Sequence, residues 1–297
     1  MDELEALAAA RPTLEFHVSL SDEAISRFHD EGYVTVARIA PDAELEWIGR
    51  LYDLLFAGRT APVRGGYFDL VRSYEAEGED LLPQILAPEQ AVPALKETAF
   101  WKNGRRLAAQ LMGVAEASLR GWGHMIRKPA RIGESLPWHQ DEAYWDPGLT
   151  YSALGCWMPL DAATIESGCM SFVPGSHLGD IRPHKHVGDD PNVHGLYCTP
   201  TPEELARAVP APTPAGGAVL HHCRMLHSSG PNVSLNVRRA YANEWQLPPQ
   251  KASSIPKRDW IDDGRRAWDS RSIKGEPGSS EVPEHSGARR GVGPEKS

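Results

Sequence analysis

Two side chains that bind cations lie two residues apart in PWHQDEAYW, residues 137–145: His139 and Asp141. On an extended segment, side chains at i and i+2 leave from the same face, so an imidazole and a carboxylate could grip one ion together. A second imidazole is available in His227, which follows the apolar run GGAVLHHCRML and precedes the polar turn SSGPN. Two histidines and one carboxylate leave further positions open on an ion, the ligand set suited to non-haem iron(II). Alone, H-x-D is a weak pattern. The chain holds 12 histidines, and a hydrogen-bonded sheet histidine beside a surface aspartate also accounts for it.

A second pattern strengthens the first. Arg238 stands eleven residues beyond His227 in HSSGPNVSLNVRRAY, and a turn followed by a returning strand brings it back beside the histidine. Its planar fork suits the distal carboxylate of a dicarboxylic acid, which a lysine binds less well. Ser229 can add a hydroxyl to the same carboxylate. The plain alternative for Arg238 and Arg239 is a solvated pair on a strand edge. Strand alternation turns only one of them inward, and the spacing favours Arg238.

These residues need elements to position them. Ser21 can cap a helix over SDEAISRFHDEG, with Gly32 as its stop. The alternating YVTVARI reads as a strand. A second helix begins near Pro41–Asp42, with Leu45, Ile48, Leu51, Leu54 and Leu55 at helical spacing, and another runs from about Ala99 to Met112. From about Ala117 the segments are short, aromatic or β-branched, and bounded by turn residues, which indicates an antiparallel sandwich or barrel. Residues 178–215 read as a long insertion, suited to a lid. Its histidines, His184, His186 and His194, lack a close carboxylate or cysteine pattern and read as a lid or surface feature. We expect one domain over residues 1–250: a helical part (20–115), a β core (117–248) and the insertion. A C-terminal extension follows (251–297), largely disordered from about 274 because it lacks aliphatic residues.

The formal net charge of -9 argues against nucleic acid or an anionic membrane surface as the main partner. No apolar run approaches the ~18 residues of a membrane helix, and the N-terminus lacks the positive start of a secretory signal. A cytoplasmic protein is expected. Cys156, Cys169, Cys198 and Cys223 form no C-x-x-C pair and read as free thiols.

The stretch from about 120 to 246 resembles the phytanoyl-CoA dioxygenase family of iron(II)/2-oxoglutarate oxygenases. The matching pieces are MIRKP, PWHQDEAYW, CWMPLDAATIESGCMSFVPGSH and HSSGPNVSLNVRRA; EAISRFHDEGYVTV resembles the family's opening. The resemblance implies a mainly β fold with flanking helices, a double-stranded β-helix or cupin-like jelly roll. It implies that His139, Asp141 and His227 bind Fe(II), and that Arg238 and Ser229 bind 2-oxoglutarate with Trp157 against it. It also implies that O2 oxidises an unactivated C–H bond of a small-molecule substrate as 2-oxoglutarate becomes succinate and CO2.

Lys128, Tyr144 and Trp145 correspond to positions that line substrate pockets in the family. Core packing is an equal alternative for Tyr144 and Trp145. His222 reads as a sheet histidine that could face the cavity, and Gln140 as structural. Arg64, Arg72 and Lys128 are cations available to an anionic substrate group, exposed surface charge being the plainer reading. Desaturation, epoxidation or ring rearrangement would use the same residues. Halogenation is disfavoured because Asp141 fills the position a halide would need. A non-catalytic cupin-like binding protein would not need the triad and Arg238 together. The sequence leaves the oligomeric state open.

Overall fold

The computed structural model describes residues 3–63, 65–74 and 76–264. The helices are α1 (Glu3–Ala9), α2 (Asp22–Glu31), α3 (Asp42–Ala57), α4 (Pro88–Ala91), α5 (Ala99–Met112) and α6 (Pro202–Arg207). Ser21 caps α2 as expected, its Oγ accepting from the Ala24 N–H at 3.2 Å. Gly32 ends that helix at φ 86°, where a side chain would be strained. The strand expected over YVTVARI is the shorter β1 (Tyr33–Val36).

The remaining strands of the larger sheet are β2 (Tyr67–Asp69), β3 (Pro83–Leu86), β4 (Arg120–Lys128), β7 (Ala153–Pro159), β12 (Ala218–His222) and β14 (Arg238–Gln246). They form a seven-stranded antiparallel sheet in the order β1-β12-β7-β14-β4-β3-β2. Facing it is a four-stranded sheet, β11-β8-β13-β5, built from β5 (Leu136–His139), β8 (Met170–Phe172), β11 (Val209–Ala211) and β13 (His227–Ser229). Two small pairs complete the set: β6 (Leu149–Thr150) with β15 (Gln250–Lys251), and β9 (Lys185–His186) with β10 (Leu196–Tyr197). This is the jelly roll that the sequence texture and the resemblance led us to expect.

Strand alternation divides β14 between two environments. Tyr241 and Trp245 point outward, against Phe100 and Trp101 of α5, with ring centroids 5.0 and 5.2 Å apart. Arg239 also points outward, donating to Asp53 of α3 and to Asp161. Arg238, Ala242 and Glu244 point inward and line the cavity between the sheets. The helices thus cover one face of the larger sheet with an apolar layer that includes Leu51, Leu55, Leu107 and Met158, leaving the other face for the site.

The segment expected as one insertion, 178–215, is partly core, since β11 extends the smaller sheet by pairing with β8. Its helix α6 carries a capping box between Thr201 and Glu204. The disorder expected from about residue 274 lies outside the described residues. The four cysteines are buried and free. Among the described residues, no helix is long and apolar enough to cross a membrane.

Candidate metal and co-substrate site

His139 ends β5 and His227 begins β13, and the two are direct cross-strand partners. Their rings lie 4.2 Å apart between centroids. In each, Nδ1 lies 2.8 Å from a nearby carbonyl, that of Pro137 for His139 and of Met225 for His227. The proton is therefore held on Nδ1, and Nε2 is free to act as a ligand. Asp141 is not on the strand, as the i/i+2 reading supposed. It opens a 3-10 turn, Asp141–Tyr144, which swings its carboxylate back toward the rings. Asp141 Oδ1 lies 3.8 Å from His139 Nε2 and 3.6 Å from His227 Nε2. All three ligand atoms lie within 4.8 Å of one another.

The electrostatics suit a cation. Burial pushes the His139 imidazole down and that of His227 down to about 3, so both stay neutral. Burial alone would raise the Asp141 carboxyl, but His227, the His221 hydrogen bond and His139 outweigh it. They hold the group well below the usual carboxylate range. Two buried neutral nitrogens and one half-buried anion match the donors a divalent non-haem iron takes.

The turn carrying Asp141 is held from several directions. His221 Nε2 donates to Asp141 Oδ2 at 3.0 Å, and its ring lies over Gly155, where a Cβ would meet Cε1 at 2.7 Å. A bulkier residue at 155 would displace that hydrogen bond. Arg224 donates to the buried Glu142 carboxylate at 2.7 and 3.2 Å. Arg258 donates to the Glu142 carbonyl at 2.8 Å, and Trp260 Nε1 to that of Ala143 at 2.9 Å. The C-terminal segment, which composition marked as an extension, is thus a strap across the site. Gln140, as expected, is structural: it donates to the Arg224 carbonyl at 2.8 Å and accepts from the Arg182 N–H at 3.0 Å.

Arg238 lies at the far end of the same cavity. It is 2% exposed, its guanidinium sits 5.2 Å from the Trp157 ring, and Nε has no hydrogen-bond partner among the described residues. Burial lowers it to about 10. A buried, uncompensated guanidinium is costly unless an anion meets it. Ser229 and Trp157 line the cavity beside it.

Tyr144 and Trp145 also line the cavity. Tyr144 Oη accepts from the Leu196 N–H at 2.8 Å, and its ring stacks on His194 at 5.4 Å, so His194 of the 178–215 segment adds to the cavity wall. Two expectations need correction. Lys128 is fully buried and is absent from the cavity wall. Its Nζ donates to the carbonyls of Glu134, Ser229 and Gly230, which ties β4 to the end of β13. His222 points to the opposite face, near His177, because its neighbour His221 takes the inward position. His184 accepts from the Gln140 N–H at 3.1 Å, a structural bond. Arg72 donates to the carbonyls of Glu77 and Glu79, and Arg64 lies outside the described residues. Sequence reasoning did not find His124, His221, Glu244 or the strap. Strand alternation from Arg238 would have found Glu244.

Comparison with known proteins agrees with this geometry. The phytanoyl-CoA dioxygenase (PhyH) family model matches residues 28–240. A probable alpha-ketoglutarate-dependent hypophosphite dioxygenase from Stutzerimonas stutzeri is 34% identical over 128 residues, covering 39% of this chain and 43% of that protein. Phytanoyl-CoA dioxygenase 1 from Oryza sativa subsp. japonica is 30% identical over 150 residues, covering 50% and 51%. The chain therefore matches about half the length of these curated relatives. The crystal structure of EvdO2 from Micromonospora carbonacea var. aurantiaca complexed with 2-oxoglutarate superposes with a TM-score of 0.72. It is 33% identical and covers 83% of this chain and 99% of that one.

Proposed function

This chain belongs to the phytanoyl-CoA dioxygenase family, and from that premise we propose that it is an iron(II)- and 2-oxoglutarate-dependent dioxygenase hydroxylating a small molecule. The observation that carries the reading is Arg238: a buried guanidinium without a counter-ion, facing the cavity that also holds the His139–Asp141–His227 triad.

In this reading the triad holds iron(II), which with 2-oxoglutarate supplies oxygen activation coupled to formation of succinate and CO2. The protein's part is placement. Arg238 and Ser229 take the distal carboxylate, and the Trp157 face packs against the carbon chain. The Nδ1 hydrogen bonds to Pro137 and Met225 keep both imidazoles in the ligating tautomer. The Tyr144–His194 stack screens the cavity from water. Asp141 fills the third ligand position, which favours hydroxylation over halogenation.

The test is anaerobic addition of iron(II) and 2-oxoglutarate to the full chain. A weak visible charge-transfer band is expected, and His139→Ala or Asp141→Ala should abolish it. Folded protein that gives no band and forms no succinate in air would sink the proposal.

A further inference from the structure

The inward face of β14 runs from Arg238 to Glu244, six residues along a strand that rises ~3.4 Å per residue, so roughly 20 Å separates its ends. A five-carbon dicarboxylate with four C–C bonds of about 1.5 Å reaches roughly 6 Å. Held at Arg238, it leaves the Glu244 end of the cavity untouched. Between these ends Ala242, whose small side chain lines the cavity, keeps the floor open.

The Glu244 end has its own chemistry. Glu244 is 8% exposed, lines the cavity, and its Oε1 has no hydrogen-bond partner among the described residues. It pairs in register with Trp122 on β4 and Gly155 on β7. His124, one step along the same face of β4, pairs with Ala242, and the aromatic Trp122 and Trp145 add flat walls. Among the described lining residues Arg238 is the sole lysine or arginine, so no cation is available at this end for a phosphate or carboxylate.

We propose that this end is the prime-substrate subsite, and that Glu244 and His124 hydrogen-bond a hydroxyl of an uncharged, hydroxyl-bearing small molecule whose apolar faces lie against Trp122 and Trp145. The proposal rests on the oxygenase reading above. A hydroxyl suits Glu244 in either protonation state, since a carboxylate accepts from it and a carboxylic acid also donates to it. Burial pushes the Glu244 carboxyl above the usual range, consistent with an uncharged partner.

Three ring probes that differ in charge test the idea: trans-cyclohexane-1,2-diol, cyclohexylammonium and cyclohexanecarboxylate. Each is added to the full chain carrying 2-oxoglutarate, with diamagnetic zinc in place of iron, and read by ligand-observed saturation-transfer NMR. The diol should give the strongest signal. Glu244→Leu should weaken its binding on the order of tenfold, and Glu244→Gln, which keeps donor and acceptor, by less than about threefold. If Glu244→Leu fails to fold, His124→Phe carries the same expected loss. A diol signal no stronger than those of the charged rings, or undiminished in folded Glu244→Leu, overturns the proposal. So does an ammonium signal abolished by Glu244→Gln, which would make the group a counter-ion. The signal of 2-oxoglutarate, read in the same samples, separates the two levels. If it is present without diol binding, the subsite alone fails; if it is absent, the oxygenase reading fails.

Discussion

Replacing Arg238 with methionine should move binding and stability in opposite directions. The guanidinium is held from its ordinary 12.5 down to about 10 by burial. At roughly 1.4 kcal/mol for each tenfold change in an ionisation constant, that is a burial penalty on the order of 3 kcal/mol. No ion pair is made with a carboxylate among the described residues, and Asp161 offsets the burial only in part, so Arg238→Met removes the penalty while leaving a side chain of similar reach. Some stacking on Trp157 is lost, typically about 0.5–2 kcal/mol for a cation over an aromatic ring. The ligand-free variant should therefore melt at or above the wild-type temperature. Binding of 2-oxoglutarate should suffer, because losing a buried charge-assisted pair costs about 2–5 kcal/mol, or roughly 30- to 5,000-fold in affinity. At a ligand concentration 100-fold above the wild-type Kd, the wild type gains about 2.7 kcal/mol, and the variant should gain at most about 0.9 kcal/mol. Thermal melts of both proteins with and without 2-oxoglutarate read the two effects together. A ligand-induced shift retained in Arg238→Met would place the carboxylate anchor elsewhere. A variant that melts far below wild type without ligand would show that the arginine is satisfied within the fold, refuting the reasoning.

Acid should destabilise the protein earlier than its carboxylates alone would. His124, His184 and His222 are held by burial at about 4, below the unfolded value near 6.5, so the unfolded chain takes up protons first. Their contribution is complete above about pH 6.5 and is lost as the pH falls toward 4. The melting temperature of the metal-free protein should drop by ~5 °C or more from pH 7 to pH 5, and a flat profile over that interval would contradict the burial of neutral imidazoles. The strap predicts a separate effect. Arg258→Ala combined with Trp260→Ala frees the carbonyls of Glu142 and Ala143 beside the Asp141 ligand, and should weaken metal binding on the order of 10- to 100-fold. Metal titration of the folded double variant checks this, and unchanged affinity would make the strap irrelevant to the site.

The amino-acid sequence by itself brought out the three candidate ligands, the arginine proposed for the co-substrate, and the family. His139 and Asp141 are close in sequence, and the separation of Arg238 from His227 reflects one turn and one returning strand, so local rules sufficed. Ser21, Gly32 and the apolar spacing of α3 and α5 likewise announced the helices, because caps and periodicity are local properties. The resemblance, carried by short ordered pieces, supplied the jelly roll. Only the tertiary structure decided which neighbours serve the site. His221 rather than His222 turns inward because β12 enters the sheet in one of two pleat registers, a choice set by pairing with β7 and β1. Lys128 became a structural tie because three carbonyls from distant segments converge on it. Arg258 and Trp260 reach a turn more than a hundred residues earlier in the chain, a pairing that carries no periodicity and no spacing rule. What lies close in sequence was legible there; what chain closure brings together was not.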